Sequence, residues 1–374
     1  MRLIIEPDDG VAPLLSAIRN AKKSVEITIF RFDRSDIEEE LKAAVGNGVR
    51  VAALIARANR GGEESLRKLE MRFLEAGIIV ARTADDLIRY HNKLIIVDRR
   101  ILYMLSFNFT HLDIDQSRGF GIVTRNVKWV QEAVKLVRAD FTRQPYKPGQ
   151  DTFVVSPANA RKVLSSFLKR AKKQLLIYDP KISDRGMIRV LQDRAKAGVE
   201  IRVIGRIDEG AHLSISKPTP IRLHARTIIR DRRLAFVGSQ SLRPAELDSR
   251  RELGLIVREA SIVRRLIDAF ESDWASKGPA KDQDAGKDQQ SPVEAPPEVP
   301  KKEAEKAARF LVQELHHPLT TTVKKAVRKV VARVGEDVLE DKKVKDTVKK
   351  VVKKVVKEAV KEAVQDSQEP KNRI

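Results

Sequence analysis

The stretch His91-Asn92-Lys93-Leu94-Ile95-Ile96-Val97-Asp98 has a counterpart, His224-Ala225-Arg226-Thr227-Ile228-Ile229-Arg230-Asp231. Both read H-x-(K/R)-x-x-x-x-D, and each runs into a serine-bearing turn, Leu105-Ser106-Phe107-Asn108 and Gly238-Ser239-Gln240-Ser241. One offset of 133 residues separates His91 from His224, Asp98 from Asp231, Ser106 from Ser239, Gly121 from Gly254 and Asp140 from Asp273. Agreement in register over so long a span marks an internal repeat. It predicts a pseudo-symmetric protein that brings two histidines and two cations to one site.

Strand side chains repeat every two residues, so His91 and Lys93 are expected on one face, as are His224 and Arg226. Leu94–Val97 is continuously apolar, as a strand buried on both faces should be. Upstream, Val25-Glu26-Ile27-Thr28-Ile29-Phe30 alternates and reads as a strand. Residues 35–45 have helical periodicity, with Ser35 as N-cap and Glu38 completing a capping box. Gly48 closes that helix before the buried strand Val51-Ala52-Ala53-Leu54-Ile55, and a second helix, Glu63–Glu75, precedes Gly77 and a strand at 78–81. This alternation predicts an α/β fold on a parallel or mixed sheet.

The second half repeats the plan. Ala21-Lys22-Lys23 returns as Ala171-Lys172-Lys173 and Gly48-Val49 as Gly198-Val199, but at an offset of 150. The first half therefore carries 17 extra residues before its histidine motif, in the helix around Leu66. The expected organisation is a first repeat at 1–141, a connector at 142–152 containing Pro145, Pro148 and Gly149, and a second repeat at 153–275. A flexible linker follows at 276–302, rich in Lys, Asp, Gln, Pro and Ala. The tail at 303–374 is basic and helical, with valines at 344, 348, 351, 352, 355 and 356 near one face and lysines between them. Three readings stay open for it: a solvated helix, an amphipathic helix on anionic lipid or nucleic acid, or self-association through the valines.

The chain of 374 residues has a net charge of +21, no cysteine and 5% aromatic residues. The charge favours anionic partners without choosing among phosphates, nucleic acid and acidic lipid. The missing cysteines exclude disulfides and thiolate metal sites, and the few aromatics count against a base-stacking platform. An acidic start and the lack of a long apolar run predict a cytoplasmic protein without a leader or membrane span, at most peripheral to a membrane.

These motifs resemble the phospholipase D superfamily, whose signature is H-x-K-x-x-x-x-D followed by G-S-x-N and a later acidic residue. The resemblance covers about residues 1 to 275. It implies two α/β repeats related by a pseudo-twofold axis and forming one catalytic unit, with the site at their interface. It also implies attack on phosphodiesters through a covalent phosphohistidine, without a metal or other cofactor. On that reading His91 and His224 serve as nucleophile and general acid/base, with Lys93, Arg226, Asn108 and Ser241, and the turn serines Ser106 and Ser239, around the phosphate. Asp98 and Asp231 brace the motifs rather than touch substrate.

Three positions depart from the pattern. Arg226 replaces a lysine, exchanging a compact ammonium for a planar fork. Ser241 replaces an asparagine. The downstream carboxylate is Glu252 in the second half but Gly119 at the matching place in the first. If this carboxylate orients the histidine of the opposite half, Glu252 supports His91 while His224 lacks its equivalent, unless Asp113, Asp115 or Gln116 substitutes. The expected function is a phosphodiesterase or phosphatidyltransferase acting on phospholipid, with transfer to water or an alcohol. The alternatives are a nuclease and a degenerate protein that binds phosphate or lipid without turnover.

Overall fold

The repeat in the sequence is a repeat of strand order. The first half runs β1 (Arg2–Glu6), α1 (Ala12–Arg19), β2 (Ser24–Ile29), α2 (Ser35–Gly46), β3 (Arg50–Ile55), α3 (Glu63–Glu75), β4 (Ile79–Arg82), β5 (Arg89–Tyr90), β6 (Leu94–Val97), β7 (Ile101–Leu105), α4 (His111–Asp115), β8 (Ser117–Thr124) and α5 (Val127–Phe141). The second runs β9 (Phe153–Val155), α6 (Ala160–Lys169), β10 (Gln174–Ile182), α7 (Arg185–Lys196), β11 (Glu200–Ile207), β12 (Ser214–Ser216), β13 (Arg222–Leu223), β14 (Arg226–Arg230), β15 (Leu234–Gly238), α8 (Pro244–Asp248), β16 (Arg250–Arg251), β17 (Leu253–Val257) and α9 (Ala260–Ala275). One sheet is ordered β1-β8-β7-β6-β2-β3-β4 and the other β9-β17-β15-β14-β10-β11-β12, position for position the same. In each, the βα units pair in parallel and the motif strands antiparallel, giving two mixed sheets.

This is a computed structural model that describes residues 1–57, 63–208, 214–216 and 221–276, all in one compact unit. The linker expected at 276–302, apart from Ser276, and the basic tail expected at 303–374 lie outside the described residues. Among the described residues, no helix is long and apolar enough to cross a membrane.

The apolar run of β6 is explained by what lies on its two sides. Leu94 and Ile96 face a central core that both halves share, with Phe120 and Leu136 from the first and Leu253 and Phe270 from the second. Ile95 and Val97 face a separate outer core under α1, α2 and α3. A third core, with Ile177, Leu191 and Phe236, does the same for the second half. Because the central core needs both halves, they form one cooperative body rather than two independent domains.

Polar contacts set how the halves dock. The Arg118 guanidinium grips Asp273 of α9 through Nε (2.8 Å) and Nη2 (2.9 Å), while Arg251 donates to Asp140 of α5 at 2.9 Å. Arg118 and Arg251 stand 133 apart, as do Asp140 and Asp273, so the two latches are one interaction used reciprocally. Buried pairs of this kind add little net stability over apolar packing but are costly to break, which suits them to specifying register.

One local expectation differs. Arg34, not Ser35, occupies the N-cap of α2, with no side-chain cap hydrogen bond. Glu38 cannot fold back on the helix start because it accepts two hydrogen bonds from Arg72 of α3, each 2.8 Å.

Candidate active site at the interface of the halves

Two very short strands place the histidines. β5, immediately before His91, pairs in parallel with β16, immediately before Glu252. By the repeat, β13, just before His224, pairs in parallel with β8 at Ser117 and Arg118, just before Gly119. The ladders continue as His91 N–H to Arg251 O (2.8 Å) and His224 N–H to Arg118 O (3.1 Å). Each histidine is thus registered against the carboxylate position of the opposite half. His91 and Lys93 lie in the extended link before β6 rather than within a strand, and both are buried.

The consequence for His91 is a hydrogen bond between its Nδ1 and Glu252 Oε2 at 2.8 Å, with Ser239 Oγ donating to the same oxygen. Burial raises the Glu252 carboxyl to about 8, helped by Glu246 and opposed by Lys93 and Arg250. Burial also holds His91 well below its usual value, reinforced by Lys93 and Arg226. Both causes favour the uncharged imidazole, the form with a lone pair for attack.

His224 meets a different arrangement. A Cβ at Gly119 would come within 2.9 Å of Cδ1 of Phe107, so that ring occupies the space a carboxylate side chain would need. Asp113 of α4 stands there instead, with Oδ2 3.5 Å from His224 Nε2. Asp113 is itself held: Asn108 donates to it through N (2.9 Å) and Nδ2 (2.6 Å), and Arg222 through Nη1 at 2.8 Å. Burial works to raise this carboxyl, but His224, Arg222 and Asn108 together hold it well below the usual range. His224 Nδ1 is buried without a hydrogen-bond partner among the described residues. Burial lowers His224 below its usual value, with Asp113 opposing and Arg226, Arg222 and Lys93 assisting.

The two cations are not equivalent. Lys93 Nζ is buried without a hydrogen-bond partner among the described residues, 5.4 Å from the centroid of Phe30, and burial pushes it well below its usual value. Arg226 is engaged by its own half, donating to His224 O (2.7 Å) and Ser241 Oγ (3.2 Å) and standing 3.8 Å from Glu246. Glu246 is the repeat mate of Asp113 and accepts from Ser241 N at 2.6 Å, as Asp113 accepts from Asn108 N. Ser106 Oγ accepts from Phe120 N, so both turn serines have hydroxyls bonded within the protein. Asn108 Oδ1 and Glu252 Oε1 join Lys93 Nζ as buried polar atoms without hydrogen-bond partners among the described residues. Such a concentration marks a place completed by water or a polar ligand.

Asp98 and Asp231 lie away from this cluster and brace it. Asp98 accepts from the N–H groups of Lys22, Lys23 and Ser24 at 2.6–3.1 Å, and Asp231 from those of Lys172, Lys173 and Gln174 at 2.7–3.2 Å. Each sits with the following arginine at positive φ (53° and 51°; 53° and 55°) in the turn after its motif strand. The carboxylate bonds offset the cost of that left-handed backbone. They also explain why the Ala-Lys-Lys segments recur. Glu246, Arg222 and the latch pairs escaped the sequence reading, although the 133-residue register holds for Asp113 and Glu246 and for Arg118 and Arg251. No grouping of three His, Asp or Glu side chains able to hold a metal ion occurs among the described residues.

Residues 14–143 match a family model described as cardiolipin synthase, PLD-like domain. This match likens most of the first half to a phospholipase D-like domain. Two solved structures share the phospholipase D fold with it. Polyphosphate kinase from Porphyromonas gingivalis is 22% identical with a TM-score of 0.61, over 74% of this chain and 50% of that one. The chain thus matches about half the length of that kinase. Phosphatidylserine synthase from Haemophilus influenzae Rd KW20 is 10% identical with a TM-score of 0.56, over 73% of this chain and 85% of that one. No curated protein matches in sequence.

Proposed function

We propose that the protein is a phosphodiesterase or phosphatidyltransferase that cleaves a phosphodiester, with a phospholipid as substrate, through a phosphohistidine on His91. The observation that carries this reading is the hydrogen bond from His91 to Glu252 of the opposite half, beside a buried lysine that has no hydrogen-bond partner among the described residues. Nδ1–H held by Glu252 leaves the Nε2 lone pair to attack phosphorus. As the P–N bond forms, the bond from phosphorus to the leaving oxygen breaks, and His224 gives that oxygen a proton. His224 then takes a proton from water or an alcohol, whose oxygen attacks phosphorus while the P–N bond breaks and His91 recovers its lone pair. Splitting one displacement into two in this way lowers each barrier.

Lys93, Arg226 and the Asn108 amide hold the non-bridging oxygens where charge develops. An incoming phosphate supplies the anion that buried Lys93 lacks, and it raises the proton affinity of His224 toward the acid form. The basic tail, residues 303–374, would hold the enzyme at an anionic membrane surface from the cytoplasmic side. The occupied Arg226 fork and Ser241 favour a second reading, a site that binds phosphate without turnover.

The P–N bond of a phosphohistidine is acid-labile, so acid denaturation would destroy the intermediate and the test is an alkaline quench. The full chain is mixed with phosphatidylglycerol or with an oligonucleotide, each labelled at phosphorus, and protein-bound label is followed. Label on wild type and none on His91→Ala is expected, and the substrate that labels identifies the class. Turnover without any labelled protein would overturn the mechanism, and phosphate binding without turnover would establish the second reading.

A further inference from the structure

Away from the histidines, a cavity of about 340 Å³ opens between the ends of β3 and β4, lined by Arg57, Arg67, Arg82, Thr83, Asp85 and Arg143. Four guanidiniums face it against two carboxylates, Asp85 on its wall and Glu70 behind it. Glu70 is shared by Arg67 and Arg82, and Arg57 is bonded to Asp85. Arg67 is anchored by its Nη2 to the carbonyls of Ala56 (3.2 Å) and Arg57 (3.3 Å), while its Nε has no hydrogen-bond partner among the described residues. Arg143, held at φ 56° just after α5, makes no side-chain hydrogen bond or ion pair among the described residues. The formal excess is two positive charges, with donors still open.

The cavity is connected to the histidine site in two ways. Its wall at residues 83–85 continues through Asp86, which accepts from Tyr90 Oη at 2.8 Å, directly to His91. Across the sheet, Leu94 pairs with Thr28 and Ile29 pairs with Ile55. Two inter-strand steps of about 4.8 Å put Ile55, the last residue of β3 and two before Arg57, roughly 10 Å from the Lys93 backbone. The second half has no counterpart to α3 among the described residues, so this cavity belongs to the segment where the repeats diverge.

We propose that the Arg57–Arg67–Arg82–Arg143 cavity is a second phosphate subsite, which holds a phosphate of the substrate remote from the diester being cleaved. Planar guanidinium forks suit the bidentate recognition of phosphate oxygens. The inference rests on the diester-cleaving reading above, and it selects substrates with at least two phosphates. The shared chemistry is the phosphate group, whether carried by a diphosphate lipid such as cardiolipin or by a polynucleotide.

The test uses the full chain and the variants Arg82→Ala, Arg143→Ala and Arg143→Lys. Titration calorimetry with inorganic pyrophosphate should show affinity about tenfold weaker in each alanine variant, the loss of one charge-assisted contact, with only partial recovery in Arg143→Lys, which restores the charge but not the fork. The KM for cardiolipin or for a ten-nucleotide DNA, whichever wild type cleaves, should rise by a similar factor. Cleavage of bis(p-nitrophenyl) phosphate, which has one phosphate, should not change. Unchanged pyrophosphate affinity, or equal losses on one- and two-phosphate substrates, would overturn the subsite. If wild type cleaves no diester the functional reading falls, and the pyrophosphate titration alone decides the cavity.

Discussion

Replacing Asp113 by Asn should separate proton donation from every other role of the site. Asp113 Oδ2 stands 3.5 Å from His224 Nε2. Unit charges at that distance interact by about 5 kcal/mol at an effective dielectric constant of about 20. Arg222 and Asn108 draw on the same carboxylate, so we assign about half of this to His224, equivalent to about 2 pH units. The variant should therefore hold about a hundredfold less His224 in its acid form at neutral pH. For an alkyl diester, whose leaving alkoxide needs a proton, kcat/KM should fall by about that factor. For a p-nitrophenyl ester, whose leaving group departs without one, the fall should stay within about threefold. Arg222 keeps its bond to Ser117 Oγ at 2.9 Å, and unfolding by denaturant would register any wider damage. Equal losses on the two esters would refute the assignment and make Asp113 a structural anchor for Asn108.

Three further outcomes are expected. Glu252→Gln should slow appearance of protein-bound phosphate on the order of a hundredfold while slowing its hydrolysis much less, because the carboxylate orients the attacking ring; rapid-quench labelling measures both. With His224 held below 6.5 by burial, its acid form becomes scarcer as pH rises, so kcat/KM on an alkyl diester should decline toward alkaline pH with an optimum below neutrality; a rate climbing from pH 6 to pH 9 would contradict this assignment. Asp273→Asn should cost about 3 kcal/mol in urea denaturation by removing the bidentate partner of buried Arg118, which keeps only Asp8 and the Glu6 carbonyl at its Nη1, and a loss below about 1 kcal/mol would show that the latch is dispensable.

The β6 and β14 segments show why so much of the fold was legible. A four-residue strand between a histidine and an aspartate, wholly apolar in the first copy and carrying Ile228 and Ile229 at its centre in the second, permits few topologies when it recurs at constant offset, because the apolar faces must be covered and the two copies must fold alike. Asp98 and Asp231 were legible for a similar reason, since their bonds are to the turn that opens the neighbouring strand. The asymmetry of the pair was visible too, in Lys93 against Arg226, Asn108 against Ser241 and Gly119 against Glu252. What it meant was not. Gly119 reads as a missing group, yet Phe107 fills that space and Asp113 approaches His224 from another element.

By itself the sequence determined an α/β repeat, the residues that meet at its interface, and the departure of one copy from the other. These follow from periodicity and register, which are local or translational properties of a chain. Only the tertiary structure decided which carboxylate faces which histidine, that Arg226 is engaged while Lys93 is not, and that four arginines surround one cavity. Those facts depend on the parallel pairing of β5 with β16 and of β13 with β8, and on the crossed Arg118–Asp273 and Arg251–Asp140 latches. Each joins residues more than 100 positions apart, where distance in space owes nothing to distance along the chain.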